Sequence, residues 1–140
     1  MIEHQYFGLD VGEKTVGVAY SMGYYAQPLT TVVFDNEDYQ KAAKQVTALC
    51  HEHKIDTVII GLPKHMNNEL GISAQRAIQF EQLLTDMIDA KIILWDERLS
   101  SKEADRRMIA YDMSRKKRKR LIDQMAAVII LQSYLDHIRR

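Results

Sequence analysis
Apolar positions early in this chain follow the two-residue rhythm of strands; later they alternate between helical spacing and short unbroken runs. Tyr6-Phe7-Gly8-Leu9-Asp10-Val11 and Val16-Gly17-Val18-Ala19-Tyr20 read as two strands, over residues 5–11 and 15–22. The turn signal Gly12-Glu13-Lys14 joins them as a hairpin. A third strand is predicted over 29–34, starting after Pro28. Asp35-Asn36-Glu37-Asp38 then offers a cap and an acidic first turn to a helix using Tyr39, Ala42, Ala43, Val46, Leu49 and Cys50. Thr57-Val58-Ile59-Ile60 is continuously apolar, as a strand buried on both faces would be, and Gly61-Leu62-Pro63 ends it. After a polar loop over 64–71, a second helix uses Ala77, Phe80, Leu84, Met87 and Ile88, and Ile92-Ile93-Leu94-Trp95 is another buried strand. Ser100 with Glu103 three residues on predicts a capped short helix to about Ile109, and a long apolar helix is expected over 121–138. The order β-β-β-α-β-α-β-α-α implies an α/β fold with a five-stranded mixed sheet: an antiparallel three-strand meander extended by two parallel strands and flanked by helices.

The 140 residues, 46% apolar, are enough for one domain with a real core, so residues 1–140 are read as a single domain. No apolar run approaches the ~20 residues of a membrane span, and the N-terminus lacks the pattern of a signal peptide. Cys50 is the single cysteine, which suits a reducing cytoplasm; its helical spacing with Val46 marks it as core. The net charge of zero conceals a division. Residues 1–97 hold 7 Lys/Arg against 14 Asp/Glu, and residues 98–140 hold 12 against 5. An imbalance of seven charges each way within one domain points to a polyanion-binding face.

Three acidic positions interrupt apolar sequence or close a buried strand. Asp10 stands inside the first strand, Asp96-Glu97 ends the last, and Asp123 opens the long helix in Leu121-Ile122-Asp123-Gln124. An isolated carboxylate in a dry interior is costly, so Asp10 needs an open sheet surface, a cation or a metal. Ligand sites gather at the C-terminal ends of parallel strands, and a C-terminal helix folded across that edge would bring Asp123 near Asp10. Ala126 and Ala127 would let it approach closely. Three carboxylates in one place repel unless cations neutralise them, and hard oxygen donors favour Mg²⁺ or Mn²⁺. Two such ions ~4 Å apart can drive phosphodiester cleavage. Each acid also has an ordinary reading: a hairpin-turn residue for Asp10, an ion pair with Arg98 for Asp96 or Glu97, and an exposed helix face for Asp123.

Arg115-Lys116-Lys117-Arg118-Lys119-Arg120 is six consecutive cations. Like charges one turn apart and cations at a helix N-terminus both destabilise a helix. A segment that bears both costs is expected to grip phosphates. Lys14 in the hairpin turn and Arg98 after the last strand join Arg115, Lys116, Lys117, Arg118 and Lys119 as candidate nucleic-acid contacts, and Arg106 and Arg107 extend the patch.

The chain resembles the YqgF/RuvX family of the ribonuclease H-like superfamily. The resemblance rests on Gly8-Leu9-Asp10-Val11-Gly12 with Val16-Gly17-Val18-Ala19, on Ile60-Gly61-Leu62-Pro63, on Asp96-Glu97-Arg98-Leu99-Ser100, on Ser114-Arg115 with Lys117-Arg118-Lys119, and on Ile122-Asp123 with Ala126-Ala127-Val128-Ile129-Ile130-Leu131-Gln132. It implies a ribonuclease H-like fold and a metal-dependent endonuclease, with Asp10, Glu97 and Asp123 as the catalytic and metal-binding acids. It prefers Glu97 to Asp96, a choice that strand alternation read from the sequence leaves open. Family members are described as nucleases maturing the small-subunit ribosomal RNA precursor and as Holliday-junction resolvases. The implied partner is therefore precursor ribosomal RNA or branched DNA, bound by a monomer or weak homodimer in the cytoplasm. Two positions depart from the family pattern: Glu13, where Thr or Ser is common, and His65, where Asn is commoner. Two rival functions use part of these features. A nucleic-acid-binding module needs the basic run without the acids. A phosphotransferase would use Gly8-Leu9-Asp10-Val11-Gly12 like the phosphate loop of actin-like ATPases, but the chain is too short for a second lobe.

Overall fold
Five strands pair in the order β3-β2-β1-β4-β5, with β1 (Tyr6–Val11), β2 (Thr15–Ser21), β3 (Gln27–Val33), β4 (Thr57–Leu62) and β5 (Lys91–Asp96). The computed structural model describes residues 4–63, 71–97 and 115–139, and of 115–120 the backbone alone. Residues 64–70 of the predicted loop, with His65, and residues 98–114, with Arg98, Arg106, Arg107 and the predicted short helix, lie outside the described residues. The expected mixed sheet is present. β1 pairs antiparallel with β2, β2 with β3, and β1, β4 and β5 run parallel. The parallel strands are joined through α1 (Tyr39–Glu52) and α2 (Ile72–Thr85). Among the described residues the remaining helix, α3, is Arg115–Ile138.

Strand alternation sorts the core into two layers. Phe7, Leu9, Val16, Val18, Val58 and Ile60 point to the face covered by α1 and α2, where they meet Val46, Phe80 and Leu84. Tyr6, Ala19 and Ile59 point to the other face, under Ala127, Ile130, Leu131 and Leu135 of α3. The long helix thus lies flat on the sheet face opposite α1 and α2, not across its edge as the sequence suggested. Only small residues allow this. A Cβ built on Gly8 would stand 2.6 Å from Leu131 Cβ and 2.8 Å from the Ala127 carbonyl oxygen, and one on Gly17 would overlap the Asp123 carbonyl. Among the described residues no helix is long and apolar enough to cross a membrane.

Several boundaries differ from expectation, and β4 runs on through Gly61 to Leu62 where an end at Gly61 was expected. β3 begins at Gln27 and includes Pro28, because β3 is an edge strand and its register shifts opposite Val18/Ala19, where no ladder N–H is needed. The acids 35–38 precede α1 and leave no acid in its first turn; Asp38 is the cap, accepting from the Lys41 N–H at 3.3 Å. Glu37 sits at φ 56, outside the helical region, and its N–H donates to the Glu13 carbonyl. α2 stops at Thr85; Met87 and Ile88 fold back in a turn on the Leu84 carbonyl and still pack on the core. α3 begins at Arg115, so the basic run forms its first turns. Lys and Arg are good helix formers, and propagation from the packed part of the helix outweighs an unfavourable dipole of roughly 0.3–1 kcal/mol per charge.

Candidate active site
The register places one row of three residues across the middle of the sheet. Asp10 on β1 pairs with Gly17 on β2. On its other side it lies one residue past the Leu9–Ile60 pair, level with Gly61 on β4. Alternation from Gly8, which faces Ala127 and Leu131, puts the Asp10 side chain on the α3 face. The two glycines flanking it leave space that other groups fill. Over Gly17 lies the backbone of Asp123, and over Gly61 lies the Glu97 carboxylate, its Oε1 2.7 Å from where a Cβ would be. Adjacent strands are ~4.8 Å apart, so Asp123 and Glu97 flank Asp10 across roughly 10 Å of sheet.

The same alternation separates Asp96 from Glu97. Ile93 and Trp95 pack under α3, whereas Ile92 and Leu94 pack on the α1/α2 layer. Glu97 therefore continues the α3 side, and Asp96 the opposite one. All three of Asp10, Glu97 and Asp123 are half-buried. Thr15 Oγ1 donates to Asp123 Oδ2 at 3.1 Å, and Gln124 Nε2 donates to Thr31 Oγ1 at 3.0 Å, fixing the helix against β2 and β3. Thr15 was not singled out from the sequence; its shared parity with Gly17 and Ala19 was the available signal.

The hairpin turn that follows Asp10 is held from behind. The Tyr39 hydroxyl donates to the Gly12 carbonyl at 3.0 Å, Glu37 N–H to Glu13 at 3.0 Å and Phe34 N–H to Lys14 at 3.0 Å. Burial raises the Tyr39 phenol above its ordinary pKa; Arg76 opposes this and Glu37 and Glu13 add to it, so it remains a donor. An ion pair between Arg76 and Glu37 at 3.3 Å ties this segment to α2. Glu13 and Lys14 are exposed at the turn. Arg115, Lys116, Lys117, Arg118 and Lys119 lie in the first turns of α3, on the N-terminal side of Asp123.

The donor set of Asp10, Glu97 and Asp123 is all hard oxygen, which fits Mg²⁺ or Mn²⁺. The three acids share one face and adjacent register positions. Yet among the described residues no three His, Cys, Asp or Glu side chains are drawn into a group that could hold a metal ion. Asp123 turns one oxygen to Thr15. Cys50 is excluded from chemistry: it is buried, and burial pushes its thiol up to about 12.

The profile of the RuvX family, described as Holliday junction resolvase, matches residues 4–137. A protein of Staphylococcus haemolyticus (strain JCSC1435), named "Putative pre-16S rRNA nuclease", is 46% identical over 142 residues, covering 99% of this chain and all of its own. A protein of Staphylococcus aureus (strain bovine RF122 / ET3-1) with the same name is 45% identical, covering 99% of each chain. Among solved structures, RuvC of Thermus thermophilus in complex with a Holliday junction substrate has a TM-score of 0.59 at 13% identity, over 96% of each chain. A second structure of Thermus thermophilus RuvC has a TM-score of 0.60, also at 13% identity, over 95% of this chain and 96% of its own. The fold is ribonuclease H-like, and the chain belongs to the RuvX family.

Proposed function
We propose that this protein is a divalent-metal-dependent endonuclease that hydrolyses phosphodiester bonds in the precursor of 16S ribosomal RNA. The observation that carries this reading is the row Gly17–Asp10–Gly61, with Asp123 over one end and the Glu97 carboxylate over the other. Acids from three separate parts of the chain lie toward one sheet face. The names of the relatives at 44–46% identity supply the substrate.

Asp10, Glu97 and Asp123 would hold Mg²⁺ or Mn²⁺. Bound ions of this kind activate a water and stabilise the leaving oxygen, as a pair where two are held. The protein's own part is placement. Asp10 is fixed by the central strand, and the tethered turn after it presents Lys14 beside the site. Asp123 is fixed by the close seating of α3. Arg98 and the cations Arg115 to Lys119 would draw the phosphate backbone toward the acids, a sequence-independent attraction. A ribosomal RNA substrate implies a cytoplasmic protein that can act as a monomer.

A second substrate, a four-way DNA junction, is favoured by the description of the family profile. The test is a cleavage assay in Mg²⁺ on both substrates. The expected result is cleavage of the RNA precursor, lowered more than ~100-fold by Asp10→Asn, since even outer partners of a metal site are worth ~10–100-fold. Cleavage of the DNA junction alone would reassign the substrate. An Asp10→Asn protein as fast as the parent would remove the mechanism.

A further inference from the structure
Asp123 and Thr15 are 108 residues apart in sequence. Thr15, Gly17 and Ala19 occupy alternate positions of β2, on the face that α3 covers. Along that track the side chains are a hydroxyl, a hydrogen and a methyl. The hydrogen admits the Asp123 backbone, and the hydroxyl reaches the Asp123 side chain at Oδ2. Backbone and carboxylate of one acid are thus each fixed by one strand, which is itself paired residue for residue with the strand of Asp10.

We infer that Thr15 is a positioning residue for Asp123: its hydroxyl holds one carboxylate oxygen and so orients the group toward Asp10. Thr suits the task. Its β-branch leaves few χ1 rotamers, so the hydroxyl is aimed before α3 arrives. The inference rests on the reading of Asp123 as a metal ligand.

The neighbouring contact provides a control. Gln124 to Thr31 is a side-chain hydrogen bond of similar length, one residue further on, between the same helix and the sheet, and it involves no acid. If Thr15 merely stitched α3 down, Thr15→Val and Thr31→Val would have the same kind of effect. If Thr15 orients Asp123, the two differ in metal affinity.

The experiment titrates Mg²⁺, and separately Mn²⁺, into the folded full chain by calorimetry, with melting temperature and RNA cleavage measured alongside. Thr15→Val is expected to weaken metal binding ~10–100-fold, the range found for outer-shell partners of metal ligands. Thr15→Ser should restore most of it, and Thr31→Val should leave it unchanged while lowering the melting temperature. A Thr15→Val protein that binds metal like the parent overturns the inference and leaves the nuclease reading standing. So does a Thr31→Val protein that loses as much affinity. A parent chain that binds metal through Asp10 but cleaves neither RNA precursor nor DNA junction removes the nuclease reading and leaves the Thr15 result intact. A parent chain that binds neither ion overturns both.

Discussion

Replacing Gly17 with Ala tests whether the seating of α3 is set by the absence of a side chain on β2. In an ordinary strand interior this change stabilises, since Gly loses more conformational freedom on folding by roughly 0.5–1 kcal/mol. Here the new methyl would overlap the Asp123 carbonyl oxygen, lie 2.6 Å from its carbon and 3.2 Å from the Gln124 nitrogen. The obstructing atoms are helix backbone, which no rotamer change can move aside. Relief requires the helix to lift on the order of 1 Å, and a gap of that size forfeits about a quarter to a half of each dispersion contact beneath it. The layer at risk is Ala127, Ile130, Leu131 and Leu135 on Tyr6, Ala19 and Ile59. Overpacking of this kind costs ~1–3 kcal/mol, occasionally more. Near the upper part of that range, the melting temperature falls by about 8–12 °C for a domain of this size.

Two further readings separate geometry from general damage. Well below the melting temperature Gly17→Ala should still cleave RNA ~100-fold more slowly, because ~1 Å of displacement at a reacting group costs about that much. Gly8→Ala should destabilise in the same direction, its methyl meeting Leu131 and the Ala127 carbonyl. Because both changes lift the same helix, the double variant should lose less than the sum of the two by more than ~0.5 kcal/mol. A Gly17→Ala protein with an unchanged or raised melting temperature would refute the close-approach argument. Strictly additive losses would refute the shared-helix part of it.

The Cys50 thiol, buried and raised to about 12, should resist a thiol reagent at pH 8 in the native protein and react fully in denaturant; rapid native labelling would show that α1 opens. Burial tends to raise the Asp56 carboxyl, but hydrogen bonds from Thr57, the Gln5 amide and His4 outweigh it and hold the pKa below the ordinary value. A depressed carboxylate contributes stability that is complete above its unfolded pKa and lost as pH falls through its folded one. Melting temperature should therefore fall below about pH 4, less steeply in Asp56→Asn; identical slopes would dismiss the contribution. RNA affinity should fall steeply with salt, and replacing Lys116, Lys117 and Arg118 by Ala should reduce the logarithmic slope by ~2–3, at ~0.7–0.9 per phosphate contact; an unaltered slope would mean these residues touch no phosphate.

What was legible in the sequence follows the range of the interaction. The hairpin Tyr6–Ser21 and the buried strands Thr57–Leu62 and Lys91–Asp96 announce themselves because their signals are local: alternation, a turn between strands, an unbroken apolar run. Asp10 was legible as an anomaly for the same reason, a charge where its neighbours exclude water. Local signals also misled where tertiary context outweighed them. Pro28 reads as a strand boundary, but an edge position with a register shift gives its missing N–H no partner to lose. The run at 115–120 opposes the helix dipole, yet the packed turns behind it extend the helix through it.

The site itself depends on pairs that no local pattern connects. Gly8 and Gly17 promise that something will approach closely; that it is Ala127, Leu131 and Asp123 depends on which face a helix a hundred residues later covers. The choice between Asp96 and Glu97 is of the same kind. Alternation fixes that the two point to opposite faces, but not which face bears Asp10, until α3 and the α1/α2 layer have each claimed one. Once Ile93 and Trp95 are under α3 with Ile59 and Tyr6, Glu97 follows with them. The space left by the missing side chain of Gly61 is then shared by the Glu97 carboxylate and the Ile130 side chain. The glycines of this chain thus do for the acids what the acids cannot do for themselves. Like charges do not gather unaided, and close backbone approach at Gly17 and the absent side chain at Gly61 leave room for Asp123 and Glu97 on either side of Asp10.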